Sequence, residues 1–475
     1  MPGDIPSQEL RQALHRVADL IADYVGQVGN YPVVPPIAPG SVRAALPSAP
    51  PLEAESLDAI LDDYQKLIEP NMTHWNHPGF MAYFGITGSG PGIVGEALAA
   101  ALNVNAMLWR TSPAATELEE LTCDWLRQMI GLPAEFSGHI NDTASISTLL
   151  ALAAARHALS DLDIRTHGLA GRADVPRLIT YCSDQAHSSV DKAVMALGLG
   201  HENLRRIASD GDYRLQIESL KQTVEADLEA GHRPLAVVAT IGTTSTTSVD
   251  PVEQIAELCA QHGLWLHVDA AYAGSAAICP ELRPAFDGWQ RADSIVTNPH
   301  KWLFTPVDCS VLFVRDADQL RSAFSLVPEY LETSEEGVTN LMDYGVQLGR
   351  RFRALKLWMV IRRFGLEGLR SAIREHCRLA RLLAEWVEAE PDFELCAPVP
   401  FSVVCLRWYR PGLDEDELRE RNRRLIETVN AAGQVFLSHT ELHGRYVLRV
   451  AIGNLKTAEE HVAEVWRLIR GAASG

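Results

Sequence analysis

The chain has 475 residues, of which 47% are hydrophobic and 22% charged, with a formal net charge of −19. This composition is typical of a globular protein large enough for two or three domains. The acidic balance argues against a nucleic-acid partner, because neutralising phosphates requires clustered lysine and arginine. No window approaches the roughly eighteen uncharged apolar residues of a membrane span, so no membrane association is expected.

Residues 1–85 are predicted to form a helical arm. Apolar residues at helical spacing predict helices over 8–27 and 57–70, and the seven prolines between them require an extended segment. Two helices joined in this way cannot bury their own apolar faces, so we expect the arm to pack on a larger body or on a second subunit. The first residues include acidic side chains and no apolar core before a cleavage site, which is unlike a signal peptide and favours a cytoplasmic location.

Short apolar runs alternate with helical patterns from about residue 90 to residue 315. Helices are predicted over 91–109, 113–131, 145–160, 188–199 and 252–263, and strands over 177–183, 235–242, 264–271, 294–300 and 309–315. Alternating helices and continuous apolar strands predict an α/β fold with a mainly parallel central sheet that is covered by helices on both faces.

The last part of the chain is predicted to form a smaller α/β unit. A helix is expected over 348–365, followed by strands over 401–409 and 446–453 and a final helix that ends near residue 470. The predicted domains are therefore the arm (1–85), a large α/β domain (86–360) and a small C-terminal α/β domain (361–475).

A carboxylate and an amine occupy positions that ligand groups often take. Asp269 lies at the carboxyl end of the predicted strand 264–271, where open parallel sheets bind ligands, although it could instead cap the following turn. Lys301, one of only six lysines, lies between His300 and an apolar run that begins at Trp302. Burial there would depress the amine pKa and favour a nucleophile that forms Schiff bases; the alternative is a lysine whose stem covers a core edge.

Two weaker features accompany them. His187 follows the predicted strand 177–183, where a histidine is more often a hydrogen-bonded bystander than a catalyst. The polar turn at 138–147 opens a helix and would present N–H groups and hydroxyls to an anion, or simply cap the helix. A lysine, a strand-end carboxylate, a stacking ring and a helix N-terminus are together the parts that hold pyridoxal phosphate.

The eight cysteines include no C-x-x-C pair, and several lie in apolar runs. This pattern predicts reduced, buried thiols rather than disulfides or a zinc site. No metal site is expected.

Six stretches together identify a family resemblance: "THWNHPGFMAYF", "SPAATELEELTCDWL", "HVDAAYAGSA", "NPHKWL", "EYL" and "LGRRFRALKLW". With them the chain resembles, nearly end to end, the pyridoxal-phosphate-dependent aromatic L-amino acid decarboxylases. The resemblance implies the fold type I, aspartate-aminotransferase-like architecture, and a homodimer with shared active sites whose arm embraces the partner subunit. It also implies decarboxylation of an aromatic L-amino acid to the arylalkylamine and CO₂.

The resemblance also implies roles for individual residues. Lys301 matches the Schiff-base lysine, Asp269 the partner of the pyridinium nitrogen, and His187 the histidine that stacks on the ring. Tyr330, in a loop over 328–343, matches the tyrosine that protonates the substrate Cα. The implied cofactor-binding positions are Thr143, Ala144, Ser145, His187, Thr244, Asp269, Ala271, Asn298, His300 and Lys301. The implied substrate-binding positions are Trp75, Tyr83, Phe84, Gly85, Asn105, Met107 and Gly349.

The chain departs from the family pattern at several of these places. Asp142 stands where the phosphate-binding turn usually has glycine, and we expect its side chain to point away and cap the helix. Gly85 replaces a proline of the animal enzymes, while Asn105 and Met107 replace apolar and aromatic pocket residues. These changes alter the expected substrate side chain and leave the expected reaction unchanged.

Three alternatives to simple decarboxylation remain. Decarboxylation coupled to oxidative deamination would yield an aryl acetaldehyde, but relatives that do this are associated with changes of the tyrosine or the stacking histidine, and this chain keeps Tyr330 and His187. An aminotransferase would use an arginine for the substrate carboxylate; Arg449 is so placed, although a structural ion pair is the commoner use. A homologue without cofactor is disfavoured by Lys301 and Asp269.

Overall fold

The computed structural model describes residues 4–326, 335 and 337–474. Its strands are β1 (Ser137–Asn141), β2 (Leu178–Ser183), β3 (Leu204–Ile207), β4 (Arg233–Thr240), β5 (Trp265–Asp269), β6 (Ser294–Thr297), β7 (Ser310–Val314), β8 (Phe393–Leu395), β9 (Val403–Trp408), β10 (Ser438–Leu442) and β11 (Arg445–Ala451). Seven of them form a central sheet in the order β1-β7-β6-β5-β4-β2-β3. Strands β6, β5, β4, β2 and β3 run parallel to one another, and β7 runs antiparallel to both β6 and β1. The predicted α/β fold with a mainly parallel sheet is confirmed.

Helices flank this sheet. The α-helices are α1 (Ser7–Gln27), α2 (Ser41–Ala45), α3 (Leu57–Asp63), α4 (Gly90–Leu102), α5 (Pro113–Ile130), α6 (Ala144–His157), α7 (Ile164–His167), α8 (Ser189–Ala196), α9 (Ile217–Glu229), α10 (Val252–His262), α11 (Pro299–Trp302), α12 (Ala317–Phe324), α13 (Ala354–Glu388), α14 (Glu415–Ala431) and α15 (Glu459–Ser474). Alternate residues of β4 enter different hydrophobic clusters: Val237 and Ala239 pack in one, Ala236 and Val238 in another. Since successive strand residues point to opposite faces, both faces of the sheet are buried, which requires apolar residues at every position.

A second, antiparallel sheet forms near the C-terminus, in the order β10-β11-β9-β8. It packs with α14 and α15 around its own apolar cluster. The predicted domain boundaries stay a prediction, and the long helix α13 spans the one at residue 360.

The N-terminal arm leaves apolar surface uncovered in the single chain. Helix α1 has no buried residue, and Leu10 and Leu14 are 43% and 55% exposed. Arg16 on this helix forms an ion pair with Asp58, 2.9 Å away, at the start of α3. The arm therefore contacts α3 through this ion pair, while Leu10 and Leu14 stay largely uncovered by the described residues.

Two predicted helices have the wrong bounds. The helix expected over 91–109 ends at Leu102, because Asn103 takes the left-handed conformation (φ 48°) that terminates helices. The helix expected over 348–365 begins at Ala354 rather than at 348, but its expected end is confirmed: Gly365 has non-helical backbone (φ 63°, ψ 170°), and a second helical segment follows it to Glu388.

Within the described ranges, no helix combines the length and apolar character needed to cross a membrane. All eight cysteines are buried and unpaired, as the sequence predicted.

Candidate active site

The candidate site lies where the parallel strands of the central sheet end. Strand β4 ends at Thr240, its neighbour β5 ends at Asp269, and the short helix α11 that follows β6 contains Lys301. A cavity of about 200 Å³ opens at this edge. It is lined by Phe84, Thr143, Ala144, Ser145, His187, Thr240, Gly242, Thr244, Asp269, Ala271, Tyr272, Asn298, His300 and Lys301. All ten positions that the family resemblance implied for the cofactor therefore line one cavity.

Lys301 lies in an electrostatic setting that favours the neutral amine. Its Nζ atom is 5.1 Å from the centre of the Phe84 ring. Burial lowers the pKa of Lys301; the carboxylate of Asp269 raises it, and the guanidinium of Arg449 lowers it. Because burial dominates, the net direction is downward, and the amine is more available as a nucleophile than a surface lysine.

Asp269 is held rigidly at the end of β5. The residue is 6% exposed, and its Oδ1 atom accepts a hydrogen bond from the backbone N–H of Ala271 at 3.0 Å. This bond uses one carboxylate oxygen and fixes the side chain beside the cavity, so the other oxygen remains available to a ligand.

His187 lines the cavity while remaining exposed to solvent. Its Nδ1 atom accepts the backbone N–H of Ser189 at 3.1 Å and lies 3.0 Å from the hydroxyl of the same residue. Partial burial lowers the pKa of His187. The ring is therefore neutral near pH 7, with its proton on Nε2.

The opposite end of the cavity offers hydrogen-bond donors without a fixed charge. Thr143 is the N-cap of α6, and its side chain makes no capping bond, so the first N–H groups of the helix lack a side-chain partner. The Nδ1 atom of His300 accepts the backbone N–H of Cys309 at 2.9 Å, which places the ring proton on Nε2. Burial lowers the pKa of His300 to about 3, so this histidine is a neutral donor.

Buried polar atoms without partners show that the cavity is built for a polar ligand. Neither Asn298 Oδ1 nor Thr240 Oγ1 has a hydrogen-bond partner among the described residues, although both are buried. Such groups cost free energy unless a ligand or water satisfies them. The lysine, the carboxylate, the neutral histidines and the helix N-terminus fit a phosphorylated aromatic aldehyde.

Asp142 does not cap α6, contrary to our expectation. Its Oδ1 atom accepts hydrogen bonds from the backbone N–H of Thr143 at 2.5 Å and from the hydroxyl of the same residue at 3.1 Å. These donors precede the helix proper, so the carboxylate binds the phosphate-binding turn itself.

The residues expected to bind substrate fall into two groups. Trp75 and Tyr83 stack with ring centres 5.9 Å apart, and Phe84 stacks on Tyr272 at 3.9 Å. Of this group only Phe84 lines the cavity, while the neighbouring Gly85 approaches the backbone of the small domain instead.

The second group lies around Arg350 and does not line the cavity of its own chain. Asn105 Oδ1 accepts the backbone N–H of Arg350 at 2.9 Å, and Asn105 Nδ2 lies 3.3 Å from Met107 Sδ. A Cβ atom added to Gly349 would lie 3.9 Å from that amide nitrogen. Tyr330 lies outside the described residues.

Sequence reasoning missed Thr240, Gly242 and Tyr272 as cavity residues. Thr240 and Gly242 lie in a run that we predicted as a strand over 235–242, and strand ends are where ligands bind. Tyr272 is part of the quoted stretch "HVDAAYAGSA", so the signal was present.

Arg449 forms no ion pair among the described residues, and the role considered for it from the sequence stays a prediction. It is 3% exposed, donates from Nε to Ser245 O at 3.0 Å, and donates from Nη1 to Tyr83 O. Its guanidinium lies 4.7 Å from the centre of the Phe84 ring, and Nη2 has no partner in the described part of the chain. It thus connects the small sheet to the backbone of Ser245 and Tyr83, which neighbour the cavity residues Thr244 and Phe84.

Comparisons with known proteins agree with this chemistry. Residues 39–409 match the family model described as "Pyridoxal-dependent decarboxylase conserved domain". The chain is 42% identical to phenylacetaldehyde synthase of Arabidopsis thaliana, with 98% of this chain and 96% of that protein covered. It is 42% identical to tyrosine decarboxylase 2 of the same plant, with 98% and 87% covered. A crystal structure of Oryza sativa TDC with PLP and tryptamine superposes with a TM-score of 0.95 at 39% identity, with 100% and 99% covered. The cavity residues and these matches together show that the chain belongs to the pyridoxal-dependent decarboxylase family and uses pyridoxal phosphate as its cofactor.

Proposed function

We propose that this cavity decarboxylates an aromatic L-amino acid to the corresponding arylalkylamine and CO₂. The observation that carries the proposal is the convergence of Lys301, Asp269 and the N-terminus of α6 on one cavity. The tyrosine decarboxylase relative and the tryptamine-bound structure support an aromatic side chain.

The hydrogen-bond donors at the start of α6 indicate where the phosphate group of the cofactor would bind. Thr143, Ala144 and Ser145 offer backbone N–H groups and hydroxyls to a dianion at the positive end of the helix dipole. His300 adds its Nε2–H, and Asn298 adds a buried side-chain amide. Binding would satisfy the first N–H groups of α6, which otherwise lack a side-chain partner.

The reacting end is organised by three side chains. Bound pyridoxal phosphate supplies an electron sink for the bond that breaks at the substrate Cα. Asp269 would hold a proton on the ring nitrogen of the cofactor by its charge, and Lys301 would supply the neutral amine that anchors its aldehyde carbon. His187, with Nδ1 held by Ser189, would stack on the cofactor ring, and the small side chain of Ala271 would leave room beside Asp269. Thr244 lines the same wall, near His187.

Substrate recognition is assigned to the aromatic group around Phe84. The Lys301 amine and the Arg449 guanidinium both lie near its ring, at 5.1 Å and 4.7 Å from the centre, and Trp75 and Tyr83 stack nearby. An apolar pocket penalises the charge of a carboxylate held in it, which favours release of neutral CO₂.

We also propose that two copies of the chain form a homodimer with shared active sites. The uncovered apolar face of α1 supports this, since an exposed apolar helix face requires a partner. Asn105, Met107 and Gly349 lie away from the cavity of their own chain, so they would reach a substrate only from a second subunit. Sedimentation should give twice the mass of the chain, and a monomer at micromolar concentration would contradict the proposal.

Formation of an aryl acetaldehyde is the second candidate reaction, because a phenylacetaldehyde synthase is among the relatives. Both reactions release CO₂, and they differ in whether the substrate Cα then takes a proton or meets dioxygen. The presence of Tyr330 and His187 favours protonation and therefore the amine. The test is a panel of aromatic L-amino acids with CO₂, amine, aldehyde and peroxide measured in the same reactions.

Tyr330→Phe should divert the reaction from amine to aldehyde, ammonia and peroxide, with consumption of dioxygen. The substitution keeps the ring and removes only the phenolic proton donor, so loss of protonation should slow amine formation by about 10²-fold or more. Oxygen-electrode traces and product analysis under air and under nitrogen measure this branch.

Tyr409→Phe, which removes a hydroxyl after β9 of the small sheet, is the matched control and should keep the native product ratio. Unchanged amine yield without oxygen uptake in Tyr330→Phe would show that Tyr330 is not the proton donor, and would leave His187 as the next donor to test.

A further inference from the structure

A carboxylate already occupies part of the phosphate-binding turn. Asp142 lies between β1 and α6, immediately before the N-cap residue Thr143. Its Oδ1 atom accepts both the backbone N–H and the hydroxyl of Thr143, at 2.5 Å and 3.1 Å. Its Oδ2 atom lies 3.4 Å from Nε2 of Gln347. Both hydrogen-bond donors of Thr143, its backbone N–H and its hydroxyl, thus point to the carboxylate of Asp142.

The remaining lining of the cavity makes those donors important. No arginine lines it in the described part of the chain, and Lys301 lies at the reacting end. His300 is neutral, since burial lowers its pKa to about 3. A phosphate dianion there depends on N–H and O–H dipoles, so the loss of two donors to a carboxylate removes a large share of its stabilisation.

We propose that Asp142 is an internal competitor of the cofactor's phosphate group and sets the affinity of this chain for pyridoxal phosphate. The proposal rests on the assignment of the cavity above. When phosphate binds, the carboxylate must leave Thr143, and Gln347 offers it a neutral amide partner outside the cavity. The displaced carboxylate still lies next to a dianion, so repulsion adds to the cost of the lost hydrogen bonds.

The size of the effect follows from charge and screening. A single negative charge about 4 Å from a phosphate dianion, in a solvated setting, weakens binding of that dianion by about tenfold or more. Asp142→Asn keeps the shape and an acceptor oxygen while removing the charge. We therefore expect Asp142→Asn to bind pyridoxal phosphate about tenfold more tightly than the native chain, and the ratio to shrink as salt screens the repulsion.

The experiment titrates the cofactor-free protein with pyridoxal phosphate and, separately, with pyridoxal, which lacks the phosphate. Absorbance of the bound cofactor gives both dissociation constants, and inorganic phosphate is added as a competitor. Glu225→Gln, on the exposed side of α9, changes the net charge equally and is the matched control. Asp142→Asn should strengthen binding of pyridoxal phosphate and competition by inorganic phosphate, and leave the affinity for pyridoxal unchanged.

Each other outcome overturns the proposal in a distinct way. Equal affinity for pyridoxal phosphate in Asp142→Asn and Glu225→Gln would show that the carboxylate does not compete. Weaker binding in Asp142→Asn would show that Asp142 organises the turn for phosphate. An equal gain in affinity for pyridoxal would show that the substitution acts on binding of the cofactor ring rather than on binding of the phosphate group. Failure of the native chain to bind pyridoxal phosphate in this cavity would instead overturn the site assignment itself.

Discussion

Lys301→Ala should abolish turnover and the covalent attachment of the cofactor. Among the described residues, Lys301 is the one lysine that lines the cavity, and burial favours the neutral, nucleophilic form of its amine. Removal of such a nucleophile should lower kcat by a factor of about 10³ or more. Borohydride reduction followed by mass spectrometry should place the pyridoxyl group on Lys301 in the native protein and on no residue in the variant.

The fold should survive this substitution. The Lys301 amine makes no hydrogen bond or ion pair within the described ranges, so alanine leaves no buried partner unsatisfied. Lys221→Ala, on the exposed side of α9, is the matched control and should keep both activity and cofactor attachment. A pyridoxyl group on any other lysine of the native protein would refute the assignment of Lys301.

The central sheet could be predicted because its strands are continuous apolar runs. Strand β2 is buried at every position, and in a chain where helices and strands alternate such a run indicates a parallel strand buried on both faces. Strands β1 and β10 were missed because polar residues interrupt them: "SGHIN" and "SHTEL" carry little apolar signal. Strand β1 pairs with β7, which is distant in sequence, whereas β10 forms a hairpin with the adjacent strand β11.

Helix ends were less predictable than helix cores. Helix α4 ends at Leu102 because Asn103 takes the left-handed conformation, a helix end that asparagine signals less strongly than glycine does. Gly365 does end the first segment of α13, because its backbone is non-helical (φ 63°, ψ 170°), so this end was predictable from the glycine. The start of α13 was placed too early, at residue 348 instead of Ala354.

The site could be predicted where short sequence stretches carry its residues. Asp269 and Ala271 share one stretch, and Asn298, His300 and Lys301 share another, so local geometry fixes their relations. Arg449 and Tyr83 are 366 positions apart in the chain, and their contact depends on how the small sheet packs. No sequence pattern indicates such a contact.

The contacts of Asp142 could not be predicted from the sequence either, although one of its partners is the next residue in the chain. The sequence indicated an unusual charge in the phosphate-binding turn, but whether the carboxylate capped α6 or bound Thr143 depends on a few side-chain torsions. The hydrogen bond from Gln347 involves a residue 205 positions away, which the sequence pattern could not predict.

Asp269→Asn should retain the fold, bind the cofactor more weakly and lose most activity. The amide keeps an oxygen to accept the Ala271 N–H, so the turn after β5 stays intact. The neutral side chain no longer favours a proton on the cofactor ring nitrogen, so the electron sink weakens, and we expect kcat to fall by about 10²-fold or more.

The matched control for this prediction lies at the other end of the same strand. Asp293 accepts the backbone N–H of Leu266 at 2.7 Å near the start of β5, well away from the residues that line the cavity. Asp293→Asn removes an equal charge and keeps an acceptor oxygen, so its kcat should stay near the native value. If Asp269 acts only by holding the turn, Asp269→Asn should behave like Asp293→Asn, because both amides preserve the backbone hydrogen bond. A large fall in kcat confined to Asp269→Asn, together with weaker cofactor binding at constant thermal stability, would assign the effect to the carboxylate charge at the ring nitrogen.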